Sequence, residues 1–417
     1  MNIILLVWNY LKAKPLNTAL NIVLLSLGIA VIIVLLLFNK QLEEKISENA
    51  RGIDLVVGAK GSPLQLILCN IFHIDFPTGN INLKEAERIA RNRLVKNAVP
   101  LALGDSYEAY RIIGTDKRYA ELYKVEVEQG AWFTEELEVV IGANVAAMTK
   151  FRLNDKFASA HGLTTGGHAH DEHKFVVKGI LKRSNTVLDN LILTSVESVW
   201  HVHDLHTEED HQHHDHEHDS TFIASPLVPS VAAGDSTKEI TAMLLQYRSP
   251  MGAIQLPRFV NQQSSMQAAS PAFETARLFS ILGVGVDILM AFAYVLIFIS
   301  ALSIFIALYN SLKERRYDLA IMRSMGATRL KLVVTILSEG VLLTLLGSII
   351  GLLLGHGVVM LLTAFVAETQ KAGISGIVFY TEEWIILAGS LLLGVLCALI
   401  PAWQAYRTDI SKVLAGN

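Results

Sequence analysis

Cysteine is nearly absent from this chain. It has 417 residues and 2 cysteines, Cys69 and Cys397, far apart in sequence, the second inside an apolar stretch. That argues against a disulfide framework and leaves the redox compartment unread. Charge is scarce too. Charged residues make up 18% of the chain against 52% hydrophobic, with a mean hydropathy of +0.40, which is apolar for a soluble protein. There is no basic excess, since the formal net charge is −4 and the pI is near 6.4, so nucleic acid is not an expected partner. Also missing is any Gly-x-x-x-x-Gly-Lys-Ser/Thr loop, the backbone cradle that holds nucleotide phosphates. Finally, no stretch between Asn39 and Arg277 is apolar and long enough to cross a bilayer.

What the chain does contain is four apolar runs around that polar interior. Residues 1–18 mix apolar side chains and Trp8 with Lys12 and Lys14, which suits a helix lying on a membrane surface and broken at Pro15. Residues 19–38 are an uncharged run, and at ~1.5 Å rise per residue they cover the ~30 Å hydrocarbon layer. The run is too long for a cleaved signal and no small-x-small site follows, so it reads as a retained anchor. Further spans are predicted over 278–310, where Asp287 is the one charge, over 331–366, and over 384–406, separated by 311–330 and 367–383 and followed by the tail 407–417. The second is longer than a bilayer requires and should project outward as a stalk. Lys313, Arg315, Arg316, Arg323, Arg329 and Lys331 crowd the connection at 311–330, whereas Lys371 is the single basic residue of the next one. The excess of positive charge places both termini and 311–330 in the cytoplasm and the domain 39–277 outside.

That outer domain reads as α+β. Asp54–Val57, Tyr110–Ile113, Val139–Ile141 and Phe175–Ile180 look like strands, and Leu83–Leu94 carries apolar residues at helical spacing. The most informative stretch lies on the other side, Ser311-Leu-Lys-Glu-Arg-Arg-Tyr-Asp-Leu-Ala-Ile-Met-Arg-Ser-Met-Gly-Ala-Thr328. Leu319, Met322 and Met325, with Ile321, give a helix an apolar stripe, and Gly326 ends it. By charge and periodicity alone this is a basic loop of a membrane protein, its arginines at lipid phosphates.

Its wording is more specific. Ser-Leu-x-Glu-Arg-Arg-x-x-x-Ala-x-Met-Arg-x-x-Gly-Ala, and the tail Pro401-Ala-Trp-Gln-Ala-Tyr-Arg-x-Asp-x-x-x-Val-Leu414, closely resemble ABC transporter permeases of the MacB/FtsX type. Ile113-Gly-Thr-Asp116, Gly130-x-Trp-Phe133 and Phe175-Val-Val-Lys-Gly-Ile180 are similar to pieces of the MacB-like periplasmic domain. The resemblance implies a fold of four transmembrane helices with a large α+β domain between the first and second, in the cytoplasmic (inner) membrane with that domain on the periplasmic side. It implies a second permease copy, surrounding lipid, and ATP bound by a separate ATPase subunit, consistent with the missing phosphate loop. The positions matching the family's ATPase-facing helix are Glu314, Arg315, Arg316, Met322, Arg323, Gly326 and Ala327. No catalytic site is expected in this chain. The architecture leaves open export of peptides or lipoproteins, and a non-transporting scaffold that activates an extracytoplasmic enzyme.

Three further features need placing. Gly347, Gly351 and Gly355 share one helix face and allow close approach of another backbone, within the protomer or across a dimer. Asp287, Glu339 and His356 are ionisable groups at or near membrane depth. Histidine is abundant in the outer domain. Of 14 histidines, 12 fall between His161 and His218, among them His168, His170, His173, His201, His203, His206, His211, His213, His214, His216 and His218. With interleaved carboxylates these are suitable ligands for Zn²⁺, Ni²⁺ or Cu²⁺, held at exchangeable sites, with a periplasmic metal-binding or adaptor protein as a matching partner. A solvated polar insertion and a pH-responsive loop remain the other readings.

Overall fold

The computed structural model describes residues 3–160, 169–204, 238–366 and 373–407. They form two compact units, residues 1–43 with 281–417, and residues 44–280. The chain opens with α1 (Ile3–Ala13), shorter than the predicted 1–18, and α2 (Pro15–Asn49), longer than the predicted 19–38. Pro15 accounts for both differences. It has no N–H to donate and its fixed φ fits a first turn, so it opens the second helix.

The outer unit begins with β1 (Leu55–Ala59), α3 (Pro63–Asn70), β2 (Ile81–Asn82), α4 (Leu83–Ala90), β3 (Val95–Tyr107), β4 (Tyr110–Gly114) and α5 (Lys117–Leu122). It continues with β5 (Val127–Gly130), β6 (Glu138–Ile141), α6 (Ala143–Thr149), β7 (Lys156–Ala160), β8 (Ala169–Leu181), β9 (Leu191–Thr194) and α7 (Val196–Asp204). Then come β10 (Glu239–Ile240), β11 (Ala242–Tyr247), α8 (Met251–Gln263) and β12 (Met266–Ala269). The main sheet runs β12-β1-β11-β3-β4-β9-β6-β8-β5, with β7 against β3 and β8; β10 and β2 pair separately. The β4–β9 and β6–β8 pairs are parallel, and the other pairs antiparallel. Along β1, Val56 joins one hydrophobic cluster with Leu66, Ile67 and Leu244, while Leu55 and Val57 join another with Leu245, Leu256 and Val260. Successive side chains leave a strand on opposite faces, so the sheet separates two cores. Leu94 falls outside the helix predicted through it. Asn92 turns the chain after α4, its N–H bonding Ile89 O at 2.9 Å and its side chain accepting from Leu94 N at 3.0 Å.

Two polar groups in this unit are tied down. His73 is buried with Nε2 2.8 Å from the Tyr119 hydroxyl, and burial pushes its pKa down to about 3, so it is a neutral core histidine. Burial raises the Glu138 carboxyl, but Lys178 Nζ at 2.8 Å and the backbone N–H groups of Thr134 and Glu135 outweigh it and hold the pKa at about 2.

The chain re-enters the first unit along α9 (Pro271–Glu314), followed by α10 (Arg316–Ser324), α11 (Arg329–Phe365) and α12 (Thr381–Arg407). With α2, the helices α9, α11 and α12 are the four long and apolar enough to cross a membrane among the described residues. Where 311–330 was predicted as one helix, Ser311–Glu314 instead continue α9. Gly347, Gly351 and Gly355 face α2. A Cβ on Gly351 would sit 2.8 Å from Ser26 O, and one on Gly355 would sit 2.6 Å from Ile33 Cγ2. On the other side of α11, a Cβ on Gly340 would meet Gly394 O of α12 at 2.7 Å. Backbones this close need glycine.

Two outcomes follow from the packing. Gly351→Val should destabilise the membrane unit by about 1–3 kcal/mol through overpacking, read as a lower thermal midpoint in detergent. Gly357→Ala, where nothing lies within 4 Å of the new methyl group, should leave the midpoint unchanged or slightly raised, since alanine is the better helix former. For Glu138 the folded pKa lies below the unfolded one, so its contribution is complete above the unfolded value and disappears as pH falls through about 2. Glu138→Gln should therefore flatten the acid limb of outer-domain unfolding, followed by tryptophan fluorescence, with a stability loss of roughly 2 kcal/mol at neutral pH.

Candidate functional site

The matched helix positions converge on a joint between α9 and α11. At Arg315 the backbone leaves regular helix (φ −97°, ψ 11°), yet Arg315 N still bonds Ser311 O at 3.1 Å and Leu319 N bonds Arg315 O at 3.0 Å. The joint is thus a bend with its hydrogen bonds kept. At the other end Gly326 takes φ +98°, which L side chains rarely adopt. This lets Gly326 N reach Arg323 O and Ala327 N reach Met322 O, both at 3.0 Å, so the last carbonyls of α10 are satisfied. Thr328 then caps α11, its hydroxyl accepting from Lys331 N at 3.4 Å. Gly326 and Ala327 make a hydrogen-bonded corner.

α10 has two apolar faces where the sequence spacing predicted one stripe. Leu319 and Ala320 are buried, with Leu319 and Met322 packed into the cluster that holds Val7, Leu11, Leu312, Leu332 and Ile336. Tyr317, Ile321 and Met325, spaced one helical turn apart, face outward with 58%, 36% and 82% exposure, and Leu330 beyond the corner is 67% exposed. Met325 and Ile321 therefore leave the stripe to which Leu319 and Met322 belong.

Arg315 does not belong to that outward stripe. The Arg315 side chain is only 14% exposed: its guanidinium lies 3.8 Å from the centre of the Tyr10 ring, and Nη1 lies 3.7 Å from Glu339 Oε2 of α11. Its Nη2 also donates to the backbone oxygen of Tyr10 at 3.5 Å. Lys14 and Glu314 form an ion pair beside it. Tyr10 carried no signal of its own in the sequence beyond the aromatic and basic rhythm of Trp8, Tyr10, Lys12 and Lys14. The same membrane end is edged by cations over aromatic rings, Arg329 at 5.6 Å from Tyr406, Arg407 at 4.8 Å from Trp403 and Lys12 at 5.4 Å from Trp8.

Glu339, His356 and Asp287 are not brought together. Glu339 and His356 lie on one helix some 25 Å apart by helical rise, and Asp287 is exposed on α9. His356 has its own partners. Nδ1 lies 2.7 Å from Gly376 O, Nε2 lies 2.9 Å from Glu383 Oε2, and the Phe379 ring packs at 4.3 Å. Beside it Gln41 of α2 exchanges two hydrogen bonds with the Ser375 backbone, at 2.9 and 2.7 Å, and Lys40 pairs with Glu382 at 2.9 Å. Sequence spacing did not reveal this clasp.

Of the metal candidates, His170 and His173 fall on β8 and His201 and His203 on α7. His201 Nδ1 is 3.6 Å from Glu136 Oε2. His168, His206, His211, His213, His214, His216 and His218 lie outside the described residues. Among the described residues no three metal-ligating side chains converge.

Two family models match. The FtsX-like permease C-terminal region covers residues 290–410, and the MacB-like periplasmic core domain covers residues 18–243. The uncharacterized ABC transporter permease YknZ of Bacillus subtilis is 32% identical over 108 residues, 25% of this chain and 25% of its own length. The pyoverdine export ATP-binding/permease protein PvdT of Pseudomonas fluorescens is 21% identical over 414 residues, 96% of this chain and 57% of its own length. The chain thus spans little more than half of even the longer match. Among solved structures, the periplasmic region of MacB from Actinobacillus actinomycetemcomitans aligns with a TM-score of 0.34 at 12% identity, over 56% of this chain and 97% of that one. The extracellular domain of YknZ, from Gram-positive bacteria, aligns with a TM-score of 0.30 at 14% identity, over 52% and 99%. With a MacB-like core domain matched over more than half its length and an FtsX-like region after it, the chain belongs to the ABC transporter permeases of the MacB/FtsX type.

Proposed function

We propose that this chain is the permease subunit of an ABC system and passes the ATP-driven motion of a separate ATPase subunit to its outer unit, working as a pair of permease copies. The observation that carries this reading is the two-faced α10. One face is embedded in the membrane unit, and the other presents Tyr317, Ile321, Met325 and Leu330. An apolar stripe left open on a helix with a hydrogen-bonded corner suits a protein partner. The missing phosphate loop supports a partner that supplies hydrolysis. The relation to PvdT, whose printed name joins an ATP-binding part to a permease, supports a link between permease and ATP hydrolysis. The continuous α9, 44 residues or roughly 66 Å at helical rise, offers a stiff path outward from the joint. In this reading ATP binding and hydrolysis bias two arrangements of the permease pair, and the stroke reaches the outer unit through helices that move as rods.

The histidine tracts extend the proposal. A run of imidazoles and carboxylates outside the membrane suits capture of zinc or a related transition metal for export or hand-over to a periplasmic partner. The name of PvdT, which refers to export, supports the outward direction.

Two experiments address these readings. With the ATPase that co-purifies with the tagged permease in proteoliposomes, Ile321→Asp with Met325→Asp should reduce permease-stimulated ATP hydrolysis by about tenfold or more; unchanged stimulation rejects α10 as the docking helix. For the metal, calorimetry on the full chain should show micromolar zinc binding at pH about 7.5 that is lost at pH about 5.5, where imidazoles are protonated, and lost on deletion of His201–His218. Binding only at millimolar zinc rejects the metal reading.

A further inference from the structure

We propose that Arg315 is a positioning residue, an internal strut that sets the angle of α10, and that it makes no contact with the ATPase; this rests on the transmission reading above. Its place in the Glu-Arg-Arg motif makes it look like half of a basic docking pair. The geometry points the other way. The guanidinium is wedged between three elements: the ring and backbone oxygen of Tyr10 on α1, Glu339 on α11, and its own backbone at the bend between α9 and α10. With only 14% of its side chain exposed, it has little surface left for a partner. Lys14, between α1 and α2, pairs with Glu314 at the end of α9 beside it.

The mechanical meaning follows from where these contacts act. α10 carries the outward stripe of Tyr317, Ile321 and Met325, but its own nine residues are too few to hold a direction alone. The corner at Gly326–Ala327 fixes its far end to α11, and Arg315 fixes its near end to α11 and α1 at once. A push on the outward stripe is then delivered to α1, α9 and α11 together. Without the strut the bend at Arg315 becomes a free hinge, and α10 can follow the ATPase while the spans stay where they are. Arg suits the role, because its planar cation stacks on the Tyr10 ring while its edge still reaches a carboxylate, which a lysine ammonium does not do.

The proposal separates coupling from docking, and the test reads both, using the full permease in proteoliposomes with its co-purifying ATPase. Arg315→Gln should reduce maximal stimulation about tenfold while the ATPase concentration at half-stimulation changes less than about threefold. The exchanged pair Arg315→Glu with Glu339→Arg should recover at least about half of the stimulation, as a coupled pair in a double-mutant cycle should. An arginine that touches the ATPase predicts the opposite, since a glutamate in its place repels the same partner. Because the exchange sits close to the membrane core and its variant risks misfolding, Tyr10 supplies an independent arm. Tyr10→Phe, which keeps the ring face, should retain stimulation, and Tyr10→Leu, which removes it, should lose it. Equal stimulation by Tyr10→Leu and the native chain overturns the proposal, as does a loss in Arg315→Gln expressed mainly as weaker ATPase binding. If no ATPase co-purifies, or if Ile321→Asp with Met325→Asp is also without effect, it is the transmission reading that has failed, and the strut with it. If those substitutions act and the Arg315 and Tyr10 arms do not, the strut alone is wrong.

Discussion

Hydrocarbon offers no partner to a polar group, and that constraint organises the membrane unit. Every backbone N–H and C=O in it must be satisfied within a helix, and every ionisable side chain must find a partner inside the protein or reach an end. The sequence obeys by sorting polar groups to two levels. At one end Arg315, Glu339, Lys14 and Glu314 gather around Tyr10. At the other, His356, Glu383, Gln41, Ser375, Lys40 and Glu382 close on one another. Between these levels the helices meet through small residues, with Gly347, Gly351 and Gly355 against α2 and Gly340 against α12. Polar links in that interval also run between helices, from the Ser303 hydroxyl of α9 to Asn21 Oδ1 of α2 at 2.5 Å and from Cys397 Sγ of α12 to Ala301 O of α9 at 3.4 Å. Close backbones supply dispersion contacts where the hydrophobic effect supplies nothing, because lipid is as apolar as leucine.

This sorting has a mechanical corollary. Helices packed through glycine slide or tilt as whole rods more readily than they bend, because bending would open hydrogen bonds that lipid cannot replace. In the transmission proposed above, motion is then decided at the ends, where polar contacts can exchange. The bend at Arg315 and the corner at Gly326 are both at an end, and both keep their backbone hydrogen bonds. In that proposal a helix held at each terminus by different elements acts as a lever, whereas one held by a single flexible loop would dissipate a push.

Legibility in the sequence followed sequence distance. The four spans could be read because each is one unbroken apolar run, and the outer domain because its strands alternate or run apolar over a few residues. Their boundaries moved by several residues where a local rule was misjudged. Pro15 breaks a helix interior but suits a first turn, and the apolar spacing that carries Leu94 runs past Asn92, where the chain already turns. The joint was legible only in part. Periodicity collected Leu319, Met322, Ile321 and Met325 into one stripe, whereas the helix is short and gripped on one side, so the apolar residues divide between core and solvent. Charge placed Arg315 at the surface because arginine usually is there. Its partners Tyr10 and Glu339 lie on other elements, the tyrosine 305 residues away, and no local pattern announces such a meeting. Gln41 and Ser375 are 334 residues apart and equally silent.

The same contrast explains why an arginine in a basic motif need not be a docking contact. A residue in a helix is placed by its angle as well as by its charge, and consecutive residues point about 100° apart at 3.6 residues per turn. At the bend before α10 the direction of Arg315 leads under α1, into a space already lined by an aromatic ring and a carboxylate. A guanidinium there is nearly desolvated, so it is held only because both partners are present; removing either leaves a charge stranded close to the membrane. In the strut proposed above, that cost ties the angle of α10 to Tyr10 and Glu339. A motif that looks like a basic docking patch thus divides into a buried part that fixes direction and, on the outer face, an apolar stripe that is free to be gripped.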